Sequence, residues 1–189
     1  QRAADRLGRE LEITFMPYAR ALKTLRRREN HLLPALLRNP DHETDYTWVA
    51  RTHTVRDVFN TIDTPINTLE QARQRTLIGV ESNAAMDVML TRLGFTNLVR
   101  TSSPIMSTQQ LRSGRIGAWA LTRSVSRWIW NELGHPEDLL QGTPVAIADV
   151  YVAASSRVSR ALASDYTQAI LSLHVDGSVK SIVRRYHGR

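Results

Sequence analysis

Residues 75–95 read RTLIGVESNAAMDVMLTRLGF, and the pattern changes partway from one kind of element to another. The first part, through Glu81, is a short apolar run typical of a buried β-strand. Four apolar residues then recur at helical spacing: Met86, Met89, Leu90 and Leu93. Gly94 follows where a C-terminal helix cap is expected. The stretch therefore predicts a strand, a polar loop and a helix, the repeating unit of an α/β fold.

The same alternation continues on both sides of this stretch. Six further segments are predicted as strands: LEITFMP (11–17), HLLPALL (31–37), THTVRDVFNTI (52–62), TNLVRT (96–101), RIGAWALT (115–122) and VAIADVYVAAS (145–155). Pro34 confines the second of them to an edge or a bend. Asn67 and Glu70 have the spacing of a capping box, so a helix is predicted to begin there. We expect an α/β architecture with mostly parallel strands.

Two extended stretches divide the chain. One lies near residues 54–61 and the other near 146–153, and between them the sequence reads as a self-contained βαβ unit. We expect a two-lobed protein, with residues 1–58 and 147–189 in the first lobe and 59–146 in the second. Two such crossings make a hinge, and a hinge between lobes makes a cleft.

Composition and charge narrow the possible partners. The chain has 25 Lys and Arg against 18 Asp and Glu, a formal charge of +7. Nearly all of the excess is arginine, dispersed among acids, and only TLRRREN (24–30) and SIVRRYHGR (181–189) form clusters. No basic helix with interleaved base-stacking aromatics accompanies them, so no nucleic-acid partner is predicted.

Other classes of site leave no signature. The chain has no cysteine, which rules out disulfides and thiol chemistry and fits an exported protein. Its six histidines show no metal-ligand spacing, and there is no Gly-rich phosphate loop, HExxH motif or nucleophile elbow. We predict a protein that is not an enzyme and has no metal or cofactor. No apolar stretch could span a bilayer and the opening residues have no signal-peptide core, so we expect a mature, processed or truncated chain.

Five stretches in order carry a family resemblance: MPYARALKTLRR (16–27), LLRNPDHETDYTWV (36–49), LIGVESNAAMDVMLTRLGF (77–95), LRSGRIGAWALT (111–122) and SLHVDGSVKSIVRRYHG (172–188). The chain resembles the extracellular solute-binding proteins of bacterial family 3, the amino-acid type. The resemblance implies a two-lobed, type II periplasmic-binding-protein fold with two crossover strands. It also implies a periplasmic location, capture of a small solute by a monomer, and delivery to an ABC-type permease or a sensor.

The resemblance also implies a gap. Family members begin with a strand and a helix that help to build the first lobe, and these would precede Gln1. We therefore expect an incomplete first lobe that lacks roughly fifty residues, a length set by ordinary α/β elements.

The first lobe departs from the family at its ligand loop. In amino-acid binders of this family, the loop after a strand supplies an arginine whose fork grips the α-carboxylate of the ligand. In the matching stretch, RNPDHETDY (38–46), His42 takes that position. A neutral imidazole cannot offer the same fork, so Arg38, four positions earlier, is the expected replacement.

The second lobe departs as well. Family members often carry an aspartate that meets the ligand's ammonium group, and here Gly117 and Thr122 occupy the two acidic positions of that strand. Removing one partner of a desolvated charge pair costs about 2–5 kcal/mol. An ordinary α-amino acid is therefore not the expected ligand, and another polar solute, such as an anion, is.

Other residues could serve such a solute. Ser82 and Asn83 precede a helix start, where free N–H groups favour an anionic or carbonyl group. Tyr18, Trp48 and Trp119 could form flat apolar walls, and core packing is the alternative for the tryptophans. Arg123 could add a cation, although a solvated helix start is the simpler interpretation.

Three functions stay open from the sequence. The leading hypothesis is capture of a small polar, amino-acid-like or anionic solute in a cleft between lobes. The second is a periplasmic sensor or interaction module with a degenerate pocket, which the residues at positions 42, 117 and 122 favour. The third is the effector-binding region of a LysR-like regulator, which shares the two-lobed topology.

Overall fold

The computed structural model describes residues 1–16, 18–38 and 43–186, without the side chains of Tyr18, Ala19 and Tyr186. The chain forms two compact units. Unit 1 comprises Gln1–Thr54 and Ala148–Arg184, and the described part of unit 2 comprises Val55–Ile147 with Arg185 and Tyr186. Within the described ranges, no helix is both long and apolar enough to cross a bilayer.

Unit 1 is an antiparallel sheet edge covered by helices. Its helices are α1 (Arg2–Arg6), α2 (Tyr18–Arg27), α7 (Arg160–Val175) and most of α8 (Ser178–Tyr186). Its strands are β1 (Leu32–Leu37), the first part of β2 (Tyr46–Thr61) and most of β7 (Ala146–Ser155). Strand β7 lies between β1 and β2, and it pairs antiparallel with β1.

The sheet of unit 1 buries both faces. Val152 and Ala154 pack in a cluster with Ala4 of α1 and Tyr166 of α7. Ala153, which points to the other face because side chains alternate along a strand, packs in a cluster that includes residues of α2 and β1. The alternation of β7 therefore fixes which helices lie on which side.

Unit 2 repeats the strand–helix order that the sequence predicted. Its elements are α3 (Leu69–Arg73), β3 (Ile78–Glu81), α4 (Ala85–Arg92), β4 (Leu98–Thr101), α5 (Pro104–Arg112), β5 (Ala118–Thr122), α6 (Arg123–Glu132) and β6 (Leu140–Gln141). Strand β3 pairs in parallel with β4 and with β5. The last part of β2 pairs antiparallel with β5. The carboxyl ends of the three parallel strands therefore meet at one edge of the sheet.

Two apolar clusters hold unit 2 together. One contains Phe59, Ile78, Val80 and Leu90 and lies on the α4 side of the sheet. The other lies on the opposite side and contains Leu111, Trp119, Ile129 and Trp130. All of these side chains are buried. The positions of the strand ends are thus set by a core on each face.

The prediction for HLLPALL is confirmed, since β1 stands at one end of its sheet and its pairing with β7 shifts register between Leu33 and Leu36, around Pro34. The prediction that LEITFMP is a strand is wrong, because residues 9–16 form no strand. Its alternating apolar side chains are exposed, with Ile13 at 58% and Phe15 at 94%. An apolar alternation forms a strand only where a neighbouring strand takes its backbone hydrogen bonds, and the described chain provides none there.

The predicted capping box at Asn67 is displaced by one residue. Helix α3 is capped by Thr68, whose hydroxyl accepts from the Gln71 N–H at 3.2 Å, while the Gln71 side chain accepts from the Thr68 N–H at 3.2 Å. Asn67 instead accepts a hydrogen bond from the Thr143 N–H at 2.8 Å. The helix was correctly predicted and its cap was not, because Asn67 has a tertiary partner.

Candidate functional site

The predicted site residues of the first lobe lie in unit 1. Arg38 follows β1 and Trp48 is in β2. Tyr18 begins α2, but its side chain is among those not described, and His42 lies outside the described residues. Only Arg38 and Trp48 can therefore be placed as side chains, and the structure brings these two together.

Arg38 is bound by an acid of its own chain. Its Nε donates to Glu43 Oε2 at 2.9 Å, and its Nη2 donates to Glu43 Oε1, which makes a bidentate fork. The pair lowers the pKa of Glu43 and raises that of Arg38, and both side chains are partly exposed, at 45% and 41%. A solute carboxylate could take the fork only by displacing Glu43.

Trp48 forms a wall beside this ion pair. The Arg38 guanidinium lies 5.4 Å from the Trp48 ring and 5.2 Å from the ring of Tyr151, within cation–π range. The Trp48 and Tyr151 rings meet edge to face at 5.7 Å, and the Trp48 indole N–H donates to the Glu43 carbonyl at 3.0 Å. Arg38 is thus held in place by aromatic rings and by Glu43.

Trp119 is not placed to contact a ligand. Its indole is 1% exposed and lies in the core with Leu111 and Trp130. Along β5, alternation points Trp119 to the face opposite Thr122. The core-packing alternative applies to this tryptophan, because a central strand of a sheet covered on both faces has no free side at that position.

The remaining predicted residues lie at the carboxyl edge of unit 2. Ser82 and Asn83 follow β3 and are exposed, while Thr122 ends β5. The Ser82 N–H donates to the Thr101 carbonyl at 2.9 Å, and Asn83 has a positive φ of 61°. The carboxyl ends of parallel strands are where open α/β sheets bind ligands.

Three helices begin at this edge, and two of them lack a side-chain cap. Helix α5 is capped by Ser103, which accepts from the Ile105 N–H at 3.3 Å. Helices α4 and α6 have Ala84 and Thr122 at the N-cap position, and neither side chain caps the helix. First-turn N–H groups without a cap are available to water or to an anionic group.

Thr122 leaves α6 uncapped because its hydroxyl has another partner. Thr122 and Asp57 are directly opposite in the β2–β5 ladder, and Thr122 Oγ1 donates to Asp57 Oδ1 at 2.6 Å. Asp57 is only 4% exposed, and this burial raises the pKa of its carboxyl while the Thr122 hydrogen bond opposes the rise. No arginine, lysine or histidine of the described chain forms an ion pair with Asp57.

Sequence reasoning missed Asp57. The residue stands in a strand-like stretch, VRDVF, where an acid between apolar residues looks like a solvent-facing position. Only the pairing register, which joins residues 65 positions apart, shows that this acid faces Thr122. An acid at an inward-facing position of a predicted central strand would have been the sign of a buried, functional carboxylate.

A buried polar network fixes the start of α6. Ser126 Oγ donates to Asn60 Oδ1 at 2.8 Å, and Gln141 Nε2 donates to the same oxygen at 3.0 Å and to the Arg123 carbonyl at 2.9 Å. The Arg123 side chain donates through Nη2 to the Gly142 carbonyl at 2.6 Å. Arg123 therefore ties α6 to the loop after β6.

Two further features of unit 2 are less suited to a site. Glu81 ends β3, and burial raises its pKa. Side chains alternate along a strand, so Glu81 lies on the face opposite Val80. Val80 packs with Phe59, and Asp57 shares the face of Phe59, so Glu81 and Asp57 lie on opposite faces of the sheet. A shallow depression of about 390 Å³ along α5 is lined by Met106, Gln109 and Arg115 among others, and contains none of the predicted site residues.

Across the described ranges, no group of three or more acids and histidines is placed to hold a metal ion.

Comparisons with known proteins identify the fold. No protein-family model matches the sequence, and no curated protein sequence matches it significantly. A histidine kinase sensor domain with similarity to periplasmic binding proteins superposes with a TM-score of 0.82 at 18% identity, covering 98% of this chain and 82% of that one. The substrate binding protein of an amino acid ABC transporter gives 0.79 at 16%, covering 97% and 83%.

A third solved structure agrees with these two. The GluR0 ligand-binding core from Nostoc punctiforme, in complex with L-glutamate, gives a TM-score of 0.81 at 11% identity and covers 97% of this chain and 86% of that one. The chain therefore has the α/β fold of periplasmic-binding-protein-like proteins, and the fold class predicted from the sequence is confirmed. The expectation of mostly parallel strands is wrong: among the described residues β3 pairs in parallel with β4 and β5, whereas β1 with β7, and β2 with β5 and β6, pair antiparallel. These structural neighbours are binding proteins and sensor domains rather than enzymes.

Proposed function

We propose that this protein binds a small polar, amino-acid-like solute, and that the carboxyl edge of unit 2 supplies part of the site. The observation that carries the proposal is the edge itself, where three parallel strands end, two uncapped helices begin and a buried acid lies opposite Thr122. Helix starts can receive the anionic end of a solute, and an acid can receive a cationic end.

Two of the structural neighbours support this proposal. One is the substrate binding protein of an amino acid ABC transporter, and another is in complex with L-glutamate. A solute of this kind carries both charges and is small enough for a few convergent polar groups to orient it. We propose a periplasmic location and delivery of the solute to an ABC-type permease.

A second candidate function has its own observation. One neighbour is a histidine kinase sensor domain, and in the present chain the Arg38 fork already holds Glu43. Because Glu43 occupies the Arg38 guanidinium, the protein could pass on a signal or dock with a membrane sensor subunit without capturing a free carboxylate. In that case Glu43→Gln should release Arg38 and create affinity for carboxylates that the natural chain lacks.

The test is a thermal-shift screen of the natural chain and of Glu43→Gln against amino acids, carboxylates and polyamines. Solute capture predicts that at least one compound raises Tm of the natural chain, since a ligand at a hundredfold excess over Kd stabilises the fold by about 2.7 kcal/mol. A natural chain that no compound stabilises, together with a Glu43→Gln variant that carboxylates do stabilise, would favour the sensor or interaction module instead.

A further inference from the structure

We propose that unit 2 has a second binding surface, a groove between α5 and the free edge of β4, which binds an extended acidic segment of a partner protein as an added strand. The groove consists of the depression along α5 and a second depression of about 240 Å³ that shares Gln110 and Arg115 with it. The inference does not depend on solute binding, because the groove contains none of the residues proposed to contact the solute.

The first step is that β4 has an unpaired edge. Strand β4 stands at one end of the described sheet, where it pairs with β3. On the β3 side, the Asn97 carbonyl accepts from the Ile78 N–H at 2.7 Å, and the Thr101 carbonyl accepts from an N–H just after β3 at 2.9 Å. Backbone groups point alternately to the two sides of a strand, so those of Leu98 and Arg100 point outward. This edge can therefore take a strand from another chain.

The second step is that the groove runs beside this edge, on the α5 face of the sheet. Val99 of β4 lines it, and so do Met106 and Gln110 of α5. Another flank of α5 is joined to the end of α6, because Arg112 pairs with Glu137 at 3.0 Å. Positions 106 and 110 are one helical turn apart and lie on a different flank from position 112. Alternate side chains of a strand added to β4 would thus point into the groove.

The third step is the chemistry of the groove. Gln110 Oε1 is buried and has no hydrogen bond within the described chain. The exposed Arg115 side chain has no acid partner among the described residues, whereas three other arginines of unit 2 each pair with an acid: Arg75, Arg100 and Arg112. A buried carbonyl oxygen favours an N–H donor, and a free guanidinium favours a carboxylate. An extended segment with an acidic side chain supplies both groups.

The fourth step is the spacing that the groove requires. Met106 is 44% exposed near the start of α5, and Arg115 lies beyond the other end of the helix. The helical rise from Met106 to Arg112 alone is about 9 Å. A strand advances about 3.3 Å per residue and returns to the same face every second residue, so side chains four residues apart match this span. The occupant should therefore have an apolar side chain four residues from its acid.

The experiment measures binding of a synthetic peptide to the whole chain by calorimetry, with no solute added. The probe has nine residues of alternating valine and threonine with glutamate at its centre, so that a valine lies four residues to either side of the acid. Its ends are acetylated and amidated, which leaves one charge. We expect it to bind, and replacement of its glutamate by glutamine should weaken binding about tenfold. The same peptide N-methylated along its length should not bind, because it cannot pair with β4.

Two variants assign the binding to the groove. Arg115→Gln should weaken the glutamate peptide about tenfold, to the affinity of the glutamine peptide. Arg27→Gln, which removes an exposed arginine of unit 1, should leave the affinity unchanged. Gln110→Met removes the buried acceptor and should weaken both peptides. It should not lower Tm of the free chain, because Oε1 has no described partner to lose.

Each alternative has its own result. Equal affinities for the glutamate and glutamine peptides, retained in Arg115→Gln, would overturn the acidic partner. An N-methylated peptide that binds as tightly as its parent would overturn strand addition. A chain that binds neither peptide would overturn the proposal, and a dimer in sedimentation would then identify a second copy as the occupant of the edge. Because every peptide is measured without solute, none of these results decides whether the chain captures a solute.

Discussion

A buried carboxylate without a cation destabilises the folded state whenever it is ionised, and Asp57 is such a group among the residues that the structure describes. Its pKa in the folded chain is raised above the ordinary value of 3.8. Below the unfolded value both states are protonated and there is no cost. As the pH rises from there through the folded pKa, the unfolded state gives up its proton first and the folded state loses stability.

We therefore expect Asp57→Asn to have a larger free energy of unfolding than the natural chain at neutral pH. The advantage should shrink as the pH falls and disappear below about 3.8, where the natural carboxyl is protonated in both states. Urea denaturation at a series of pH values measures the difference, with Asp138→Asn as the charge-matched control. A natural chain more stable than Asp57→Asn at pH 7 would mean that a cation already compensates the carboxylate.

Trp119 of β5 and Trp128 of α6 differ in burial, so their replacement should differ in its effect on stability. Trp119 is 1% exposed and Trp128 is 46% exposed. Removing a buried tryptophan leaves a cavity, so Trp119→Ala should destabilise the chain by about 3–5 kcal/mol. Trp128→Ala, the matched control, should change stability by about 0.5 kcal/mol or less. Denaturant midpoints at constant slope measure both, and equal effects would contradict the core assignment of Trp119.

At the scale of elements, the short helix α3 depends on its cap. The helix has five residues, and its Thr68–Gln71 capping box satisfies two backbone N–H groups reciprocally. Thr68→Ala should cost about 1 kcal/mol of stability. Thr96→Ala, an exposed threonine in the loop after α4, should be close to neutral. Equilibrium unfolding of the pair measures the difference, and an unaffected Thr68→Ala would show that packing of Ala72 alone holds α3.

Elements were predictable from sequence where the pattern was local. The strand and helix of residues 75–95 and the edge position of HLLPALL follow from periodicity and from Pro34, and the structure agrees. The segment LEITFMP has an equally clear alternation and forms no strand, because strand formation depends on a partner elsewhere in the chain. Local pattern gives the propensity for a strand, and pairing decides whether it forms.

The candidate site was less predictable for the same reason. The sequence indicated Thr122, Ser82 and Asn83, since each is tied to a strand end or a helix start that can be read locally. It could not indicate Asp57, because only the β2–β5 register brings that acid to Thr122. A shift of one residue would turn Asp57 to the opposite face of the sheet.

At the scale of the whole molecule, the two units differ in how the chain builds them. Apart from Arg185 and Tyr186, the described part of unit 2 is one continuous stretch, Val55–Ile147, and both of its apolar clusters lie within that stretch. Unit 1 needs both ends of the chain, since Ala4 and Tyr166 share one cluster and Leu25 and Ala153 share another. The lobe boundaries expected from the sequence, at residues 58 and 146, remain predictions and are separate from this division into units.

We expect residues 55–147 to fold alone, because a continuous chain of this size with its own core can be independently stable. Residues 1–54 alone should not fold, because their cluster partners in β7 and α7 would be absent. Thermal unfolding by circular dichroism and amide dispersion in NMR spectra measure both pieces. A cooperative transition for 1–54, or a disordered spectrum for 55–147, would contradict this account. Within the folded 55–147 piece the Asp57–Thr122 pair should persist, because both residues and the polar network that positions α6 lie inside it.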